Sequence, residues 1–407
     1  MKYLFVHQNF PGQFLHIVRH LVAAGKHEIV FLTEPNDNVI PGVRKVPYRV
    51  RRLAAPDTHP AAREFDVALR RADAVARTAQ GIRRLGYEPD IVIGHHGWGE
   101  LLNIRDVWPK APLLGYMEYF YRVDGQDVGF DPEHPLPAAD HPRVRAKNAV
   151  NLLALQLGGH GQTPTAWQFG TYPDWAQRQI TLLPEGVDLS VCKPSAAARR
   201  QPLDVGGTVI APHEKLVTYV ARGLEPYRGY HVIMRALPHL LRARNDVRVV
   251  LVGGDDVSYG APPREGTWRQ VMQDELKDAI DPARVIHPGK VPYETHLQLL
   301  RRSDAHVYLT YPFVISWSLR EALAAGCAVV ASDVAPVREF ITHKRNGLLA
   351  SFFDPRDLAD KILRLLEDKT LSARLRRNAR AYAERSLDVR DHVKAYAALI
   401  RKVIAVG

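Results

Sequence analysis

The sequence predicts an α/β protein made of two doubly wound parallel sheets with helices on both faces. Three observations carry this. Short apolar runs alternate with longer amphipathic segments, the pattern of strands joined by helical crossovers. The alternation stops near residue 181 and restarts after residue 200. The chain has 407 residues, enough for two or three domains at about 100–200 residues each.

Each element has its own signal. KYLFVH (2–7) is an apolar strand broken at once by His7, Gln8 and Asn9, so it reads as a strand and not as a signal peptide. FLHIVRHLVAAG (14–25) places apolar residues at 14, 17, 18, 21 and 22 on one helical face. HEIVFLT (27–33) is the next strand, and the Ala- and Arg-rich segment 61–86 is a long helix or a helix pair. DIVIGHH (90–96) and PLLGYMEYF (112–120) are strands with a helix near 99–107 between them. In the second half the predicted strands are 215–223, 247–254, 283–291, 305–311 and 328–333. Helices are expected at 231–244, 293–302 and 317–325, and the tail 356–404 is helical throughout. The bridge near 181–205 carries Pro184, Gly186, Pro194 and Pro202, a linker composition.

Composition removes several function classes. Apolar residues make up 46% and charged residues 24%, ordinary for a globular protein. Cys192 and Cys327 are the only cysteines, too few for a disulfide scaffold or a Cys-rich zinc module. No apolar stretch approaches the ~18 residues of a spanning helix, and a reducing cytoplasm is the simplest compartment. The net charge of +11 is spread along the chain, with no zinc-finger spacing, RNP-like motif or helix-turn-helix, so nucleic acid is not the expected partner. Anionic lipid and phosphorylated small molecules fit the charge.

Open parallel sheets bind ligands at the carboxyl ends of their strands, so the chemistry is sought in the loops that follow strands. HQNFPGQF (7–14) puts Gly12 before a helix, where backbone amides favour an anion; a plain βα turn reads equally well. RGLEPYRG (222–229) sets Arg222 and Arg228 around a Gly/Pro turn just before a helix. Two permanent guanidiniums there suit a phosphate, against the alternative of two surface arginines. Glu321 lies inside an apolar helix, where a carboxylate needs partners. A ribose diol offers two hydroxyl donors; an internal salt bridge is the alternative. His95 and His96 end a strand and precede Trp98, but no further ligands at metal spacing lie near them. His96 or Trp98 is a candidate acceptor contact, with packing as the alternative. Asp124, Asp127 and Asp131 form an acidic loop that is either solvated or in contact with an acceptor.

These motifs together resemble the family 4 retaining glycosyltransferases of bacterial group 1 type. The bridge ITLLPEGVDLSVCKP (180–194) is similar to the family linker, with Glu185 in place of an Asn. REALAAGCAVVASDVAPVREFITHKRNGLL (320–349) resembles the family's most characteristic stretch, and HQNFPGQF and LEPYRGYH resemble one bacterial branch. The resemblance covers nearly the whole chain. It implies a GT-B fold, two Rossmann-like domains facing a central cleft. Residues 1–185, with a returning helix 386–407, would bind the acceptor, and residues 186–385 the nucleotide sugar.

Carried over to this sequence, Arg222 and Arg228 hold the pyrophosphate, and Glu321 holds the ribose hydroxyls. Backbone groups near Gly289, Lys290 and Val291 read the base. The amides of Ser316, Trp317, Ser318 and Leu319 meet the phosphate or the donor sugar, and Gly12 approaches the donor phosphates from the other domain. Two positions depart from the family. Phe313 stands where the first Glu of a Glu-x7-Glu motif contacts the donor sugar. Glu118 stands where the family often has a His at a strand end, beside the cationic sugar or the acceptor.

The expected reaction is retaining transfer of a sugar from a UDP- or GDP-linked donor to a carbohydrate or lipid-linked acceptor, in polysaccharide or glycolipid assembly. No Asp-x-Asp is present, so no metal or other cofactor is expected. The Arg-rich stretch 63–84 is either a solvated face or a peripheral contact with the inner face of an anionic membrane. A sugar-nucleotide 2-epimerase of the same architecture and a non-catalytic nucleotide-sugar-binding subunit are the competing readings.

Overall fold

Seven parallel strands form the first sheet of the protein, a computed structural model that describes residues 1–50 and 54–406. They are β1 (Lys2–Val6), β2 (Glu28–Thr33), β3 (Arg44–Pro47), β4 (Ile91–His95), β5 (Leu113–Tyr116), β6 (His160–Thr163) and β7 (Ile180–Leu182). Their order is β3-β2-β1-β4-β5-β6-β7. Both faces are covered, which is why the strands read as continuous apolar runs rather than alternating ones. Phe5, Phe31 and Ile93 face a layer with Phe14, Ile17 and Val18 and with Tyr396, Leu399, Ile400 and Val403 of the last helix. Leu4, Val6, Val30 and Val92 face Val75, Ala79 and Ile82 of the helix Arg63–Arg84.

The second sheet holds six parallel strands. A small antiparallel hairpin comes first, β8 (Leu203–Val205) and β9 (Thr208–Ile210), turned by Gly206 and Gly207, both at positive φ. The sheet follows with β10 (Lys215–Gly223), β11 (Val247–Gly254), β12 (Val285–Gly289), β13 (Ala305–Tyr308), β14 (Val329–Ser332) and β15 (Leu348–Ala350), in the order β12-β11-β10-β13-β14-β15.

The chain divides into two compact units, Met1–Glu185 with Val389–Gly407, and Gly186–Asp388. The closing helix is Val389–Val406, while 369–386 is a separate helix belonging to the second unit. Gly407, the end of the expected returning helix, lies outside the described residues.

Several elements differ from the sequence expectation. The helix expected at 99–107 is confined to Ile104–Val107. Gly99 sits at φ 91° where a Cβ would stand 2.5 Å from the Ala68 carbonyl oxygen, and residues 97–103 form turns instead of helix. The strand expected to reach Phe120 ends at Tyr116, because the Glu118 carbonyl leaves the ladder to accept from Gln168 Nε2 at 2.7 Å. Residues 180–182, taken as the start of the bridge, are the edge strand of the first sheet. β3, β6 and β15, and the helix Trp268–Leu276, carry weak apolar signals and were not expected. RKVP of β3 lies on an edge with no buried position. HGQT of β6 needs Gly161, because a side chain there would strike Ile180 and Met117.

Candidate functional site

Each sheet has one point where the chain reverses its direction of strand addition. In the first sheet it falls between β1 and β4, and in the second between β10 and β13. Strand-end crevices at such points are where open α/β sheets take ligands.

At the first switch point two histidines meet. His7 follows β1, and His95 ends β4; their rings stand edge to face at 5.3 Å. His7 Nδ1 accepts the Asn9 N–H at 2.8 Å. Burial pushes His7 down to about 3, so the ring is neutral. His95 is fully buried, and its Nδ1 accepts the Gly97 N–H at 3.0 Å. Its Nε2 points at the Glu118 carboxylate, 3.6 Å away. Its ring stacks on Tyr116 at 5.1 Å and Trp98 at 6.1 Å. Each ring lies against a glycine. A Cβ on Gly12 or on Gly97 would stand 2.8 Å from the rings of His7 and His95, and one on Gly115 would collide with His96.

The strand pleat separates the two adjacent histidines. His95 joins the rim, whereas His96 turns over Gly115, is 2% exposed, and is held down to about 3 by burial. His96 is therefore a packed side chain, and the rim imidazole is His95. Trp98 is 40% exposed beside it, and its carbonyl accepts from the buried Arg71 at 2.8 Å. Below the rim, the fully buried Glu100 accepts the Gln8 N–H at 3.1 Å and the Tyr48 hydroxyl at 3.4 Å. Burial raises its carboxyl, opposed by the charge of Arg71. Asp124 is exposed, but Asp127 and Asp131 are buried rather than solvated, and Asp127 accepts the Tyr119 hydroxyl at 2.9 Å.

At the second switch point Arg228 bridges the two strands that diverge. It follows β10, and its Nη1 donates to Thr310 Oγ1, after β13, at 2.8 Å and to the Val314 carbonyl at 3.1 Å. The guanidinium is buried under the rings of Tyr259, at 4.8 Å, and Phe313, at 5.9 Å. Phe313 thus belongs to an aromatic wall with Tyr227, at 5.3 Å, and Tyr259, at 5.1 Å. Arg222 is exposed at the end of β10.

Glu225 fixes this loop. It is fully buried, and its carboxylate accepts three successive backbone N–H groups, Ser258 at 3.1 Å, Tyr259 at 3.2 Å and Gly260 at 2.9 Å. That places Tyr259 over Arg228. Nearby, Lys290 binds Asp256 at 2.8 Å, and this bond holds the Asp256 carboxyl below its usual range. Gly289 ends the edge strand β12, and Val291 follows Lys290 in the loop after it.

Glu321, 8% exposed, already has partners. Tyr293 donates to Oε1 at 2.9 Å and His296 Nε2 lies 2.9 Å from Oε2, while the Tyr293 hydroxyl also meets Cys192 Sγ at 3.3 Å. Each carboxylate oxygen keeps a further acceptor site. At the start of the helix Trp317–Ala324, the Ser316 N–H donates to the Tyr308 hydroxyl at 2.9 Å, Ser318 N–H to Ser316 Oγ at 3.1 Å and Leu319 N–H to the Ser316 carbonyl at 3.3 Å. Ser316, Ser318 and Leu319 amides are thus engaged within the chain.

Arg222 lies at the end of a strand of the second sheet, Arg228, Lys290, Phe313 and the Ser316–Leu319 turn follow its strands, and Glu321 lies one turn into the helix after β13. Gly12, Trp98 and Glu118 follow strands of the first. His7, His95, Glu225, Tyr259, Tyr293 and His296 complete these two rims; of these the sequence raises only His95, as a metal ligand, and gives none of them a site role. The glycines beside the two histidines were the available signal.

Two known protein families match the chain. The glycosyl transferase family 4 group matches residues 25–192, and glycosyl transferases group 1 matches residues 205–382. The chain belongs to the group 1 glycosyltransferases of family 4 type. Among curated members of this family, the D-inositol 3-phosphate glycosyltransferase of Corynebacterium efficiens is 26% identical over 319 residues, 74% of this chain and 68% of that one. The protein of the same name from Nocardia farcinica is 30% identical over 210 residues, 50% of this chain but 44% of its own. The fold is GT-B. A sucrose-phosphate synthase from Thermosynechococcus elongatus superposes over the full length of both chains with a TM-score of 0.74 at 20% identity. HepE of Anabaena, solved with UDP-glucose, covers 99% of this chain and 100% of its own, with a TM-score of 0.71 at 17% identity. Among the described residues no helix is long and apolar enough to cross a membrane.

Proposed function

We propose that this group 1 glycosyltransferase moves a sugar, with retention at the anomeric carbon, from a UDP- or GDP-linked donor to an acceptor hydroxyl. The observation that carries the reading is Arg228, bonded across the switch point to Thr310, with Arg222 on the strand end beside it. Fixed cations at a strand-end crevice match a pyrophosphate leaving group. UDP-glucose in the HepE structure supports a nucleotide-sugar donor. The second unit is the donor side in this reading, and the first unit the acceptor side.

As the sugar–phosphate bond breaks, negative charge grows on the leaving phosphate. Arg222 and Arg228 stabilise it by fixed electrostatics, the task a metal performs in other designs. The acceptor hydroxyl attacks from the face the phosphate leaves, and the phosphate oxygen takes its proton. Glu321 takes the ribose hydroxyls, sharing its oxygens with Tyr293 and His296. Gly289, Lys290 and Val291 border the base, and the Ser316–Leu319 turn and Phe313 border the donor sugar. Glu118 orients the acceptor hydroxyl or steadies the cationic sugar, with Trp98 beside it as an acceptor contact; Asp124 is a peripheral contact on the same side.

The relatives' name points to a cyclitol phosphate as one acceptor class to try, beside carbohydrate and lipid-linked hydroxyls in polysaccharide or glycolipid assembly. Arg63, Arg77 and Arg84 are exposed on one helix at intervals of seven, or fourteen, residues, which supports peripheral contact with an anionic membrane surface.

The test is calorimetry with UDP and GDP, followed by slow hydrolysis of the corresponding sugar nucleotides in the presence of EDTA. Binding of one nucleotide with metal-free hydrolysis is the expected result. Absence of binding to both would overturn the donor assignment.

A further inference from the structure

We propose that His95 is the positioning residue for Glu118, and that the two side chains act as one hydroxyl-binding pair at the first switch point. This rests on the reading above for its kinetic test but not for its structural one.

The sequence places an imidazole at the end of β4 and a carboxylate just past the end of its neighbour β5, strands whose register pairs His95 with Tyr116. Glu118 stands two residues beyond that pair. The His95 ring is oriented by its other nitrogen. Because Nδ1 accepts the Gly97 N–H, the ring proton is on Nε2, the atom that faces Glu118. Gly97 has no side chain to block this fold-back; a Cβ would stand 2.8 Å from His95 Cε1. Tyr116 and Trp98 stack on the ring and fix its plane.

Glu118 is fixed from the other end. Its carbonyl accepts from Gln168 Nε2 at 2.7 Å, and Gln168, fully buried, is itself bonded to Thr165 at 3.0 Å. Only its side chain is left to be positioned, and that side chain is 24% exposed.

The 3.6 Å separation is longer than a hydrogen bond, and His95 Nε2 is buried with no hydrogen-bond partner among the described residues. A buried donor left unmade is costly, and such donors mark sites completed by a ligand. Hydrogen bonds of this kind tighten when substrate binds. A sugar hydroxyl that donates to one oxygen of Glu118 draws the carboxylate into a single rotamer, and His95 Nε2–H closes on the other oxygen. His7, edge-on to His95 and neutral, walls the pair without adding a competing charge.

The experiment compares His95→Phe, His95→Gln and Glu118→Gln in the full chain. His95→Phe keeps a stacked ring but loses the donor; His95→Gln places an amide N–H near the position of Nε2. With UDP-glucose hydrolysis as the readout, His95→Phe is expected to lower kcat by about 10- to 100-fold while KM stays within about two-fold, and His95→Gln to recover most of the loss. In a Glu118→Gln background, His95→Phe is expected to cost little more. Equal activity of His95→Phe and His95→Gln, or additive losses in the double variant, would overturn the pairing. Independently of any activity, 15N spectra of histidine-labelled protein should show His95 protonated at Nε2, with that resonance displaced by Glu118→Gln. An unmoved Nε2 resonance sinks the pairing even where the transferase reading stands. A displaced one upholds it even where UDP-glucose is not hydrolysed.

Discussion

Gly12 lies against the face of His7. It adopts φ 54°, and a Cβ on it would stand 2.8 Å from both Cε1 and Nδ1 of the ring. The glycine that reads in sequence as an anion-binding turn seats an imidazole of the first rim. The same relation joins Gly97 to His95 and Gly115 to His96.

Gly12→Ala combines a disfavoured backbone with a clash, and is expected to cost about 1–3 kcal/mol of stability. Gly25→Ala is the control, with φ 66° and nothing within 4 Å of the new Cβ. It should cost about 1 kcal/mol, from the backbone alone. Urea unfolding of the two variants compares them, and equal midpoints would show that the His7 contact has no weight.

Arg222 and Arg228 should separate affinity from stability. Arg222→Ala removes an exposed side chain, so the melting temperature should hold while UDP or GDP affinity falls by about 10- to 100-fold. Arg228→Ala also strips Thr310 and Val314 of a buried donor, so both quantities should fall. Calorimetry beside thermal melts decides this. An Arg222→Ala protein that binds both nucleotides normally would remove that residue from the phosphate site.

Glu225→Gln tests the loop anchor. A carboxylate accepting three amides loses charge assistance, and the new NH2 group faces backbone N–H donors. A loss of about 1.5–3 kcal/mol is expected. Hydrogen exchange should rise at Ser258, Tyr259 and Gly260 well before the rest of the second unit. Unchanged protection there would mean that the loop holds itself.

Burial of neutral histidines makes stability depend on pH. His96 is lowered from 6.5 to about 3 in the folded chain by burial, so the unfolded chain takes its proton first as pH falls. The contribution is fully present above pH 6.5. It is lost as pH falls toward 3, at up to about 1.4 kcal/mol per pH unit. His96→Leu should flatten the urea midpoint against pH across that window. A parent profile that is level between pH 6.5 and 4 would contradict a neutral buried His96.

The ribose assignment of Glu321 predicts discrimination against a missing hydroxyl. The parent protein should bind UDP more tightly than 2′-deoxy-UDP, and Glu321→Ala should bind the two alike. If the parent fails to discriminate, Glu321 serves only Tyr293 and His296.

Much of the architecture was legible in the order of residues. Strands buried on both faces, such as EIVFLT and VRVVLVGG, announce themselves by runs of consecutive apolar residues, and the intervening helices repeat at 3.6 residues. The family stretch 320–349 is also legible in sequence, because spacing along one loop or helix is a local property. What the tertiary structure decided lies between strands distant in the chain. That His95 and not His96 joins the rim follows from the pleat of β4 and the bare surface of Gly115. That Glu225 anchors Tyr259, and that Tyr293 and His296 share Glu321, depends on loops more than 24 residues apart meeting at one sheet end. Side-chain geometry across a parallel sheet is set by register and by which strands are neighbours, and neither is written in any local run of residues.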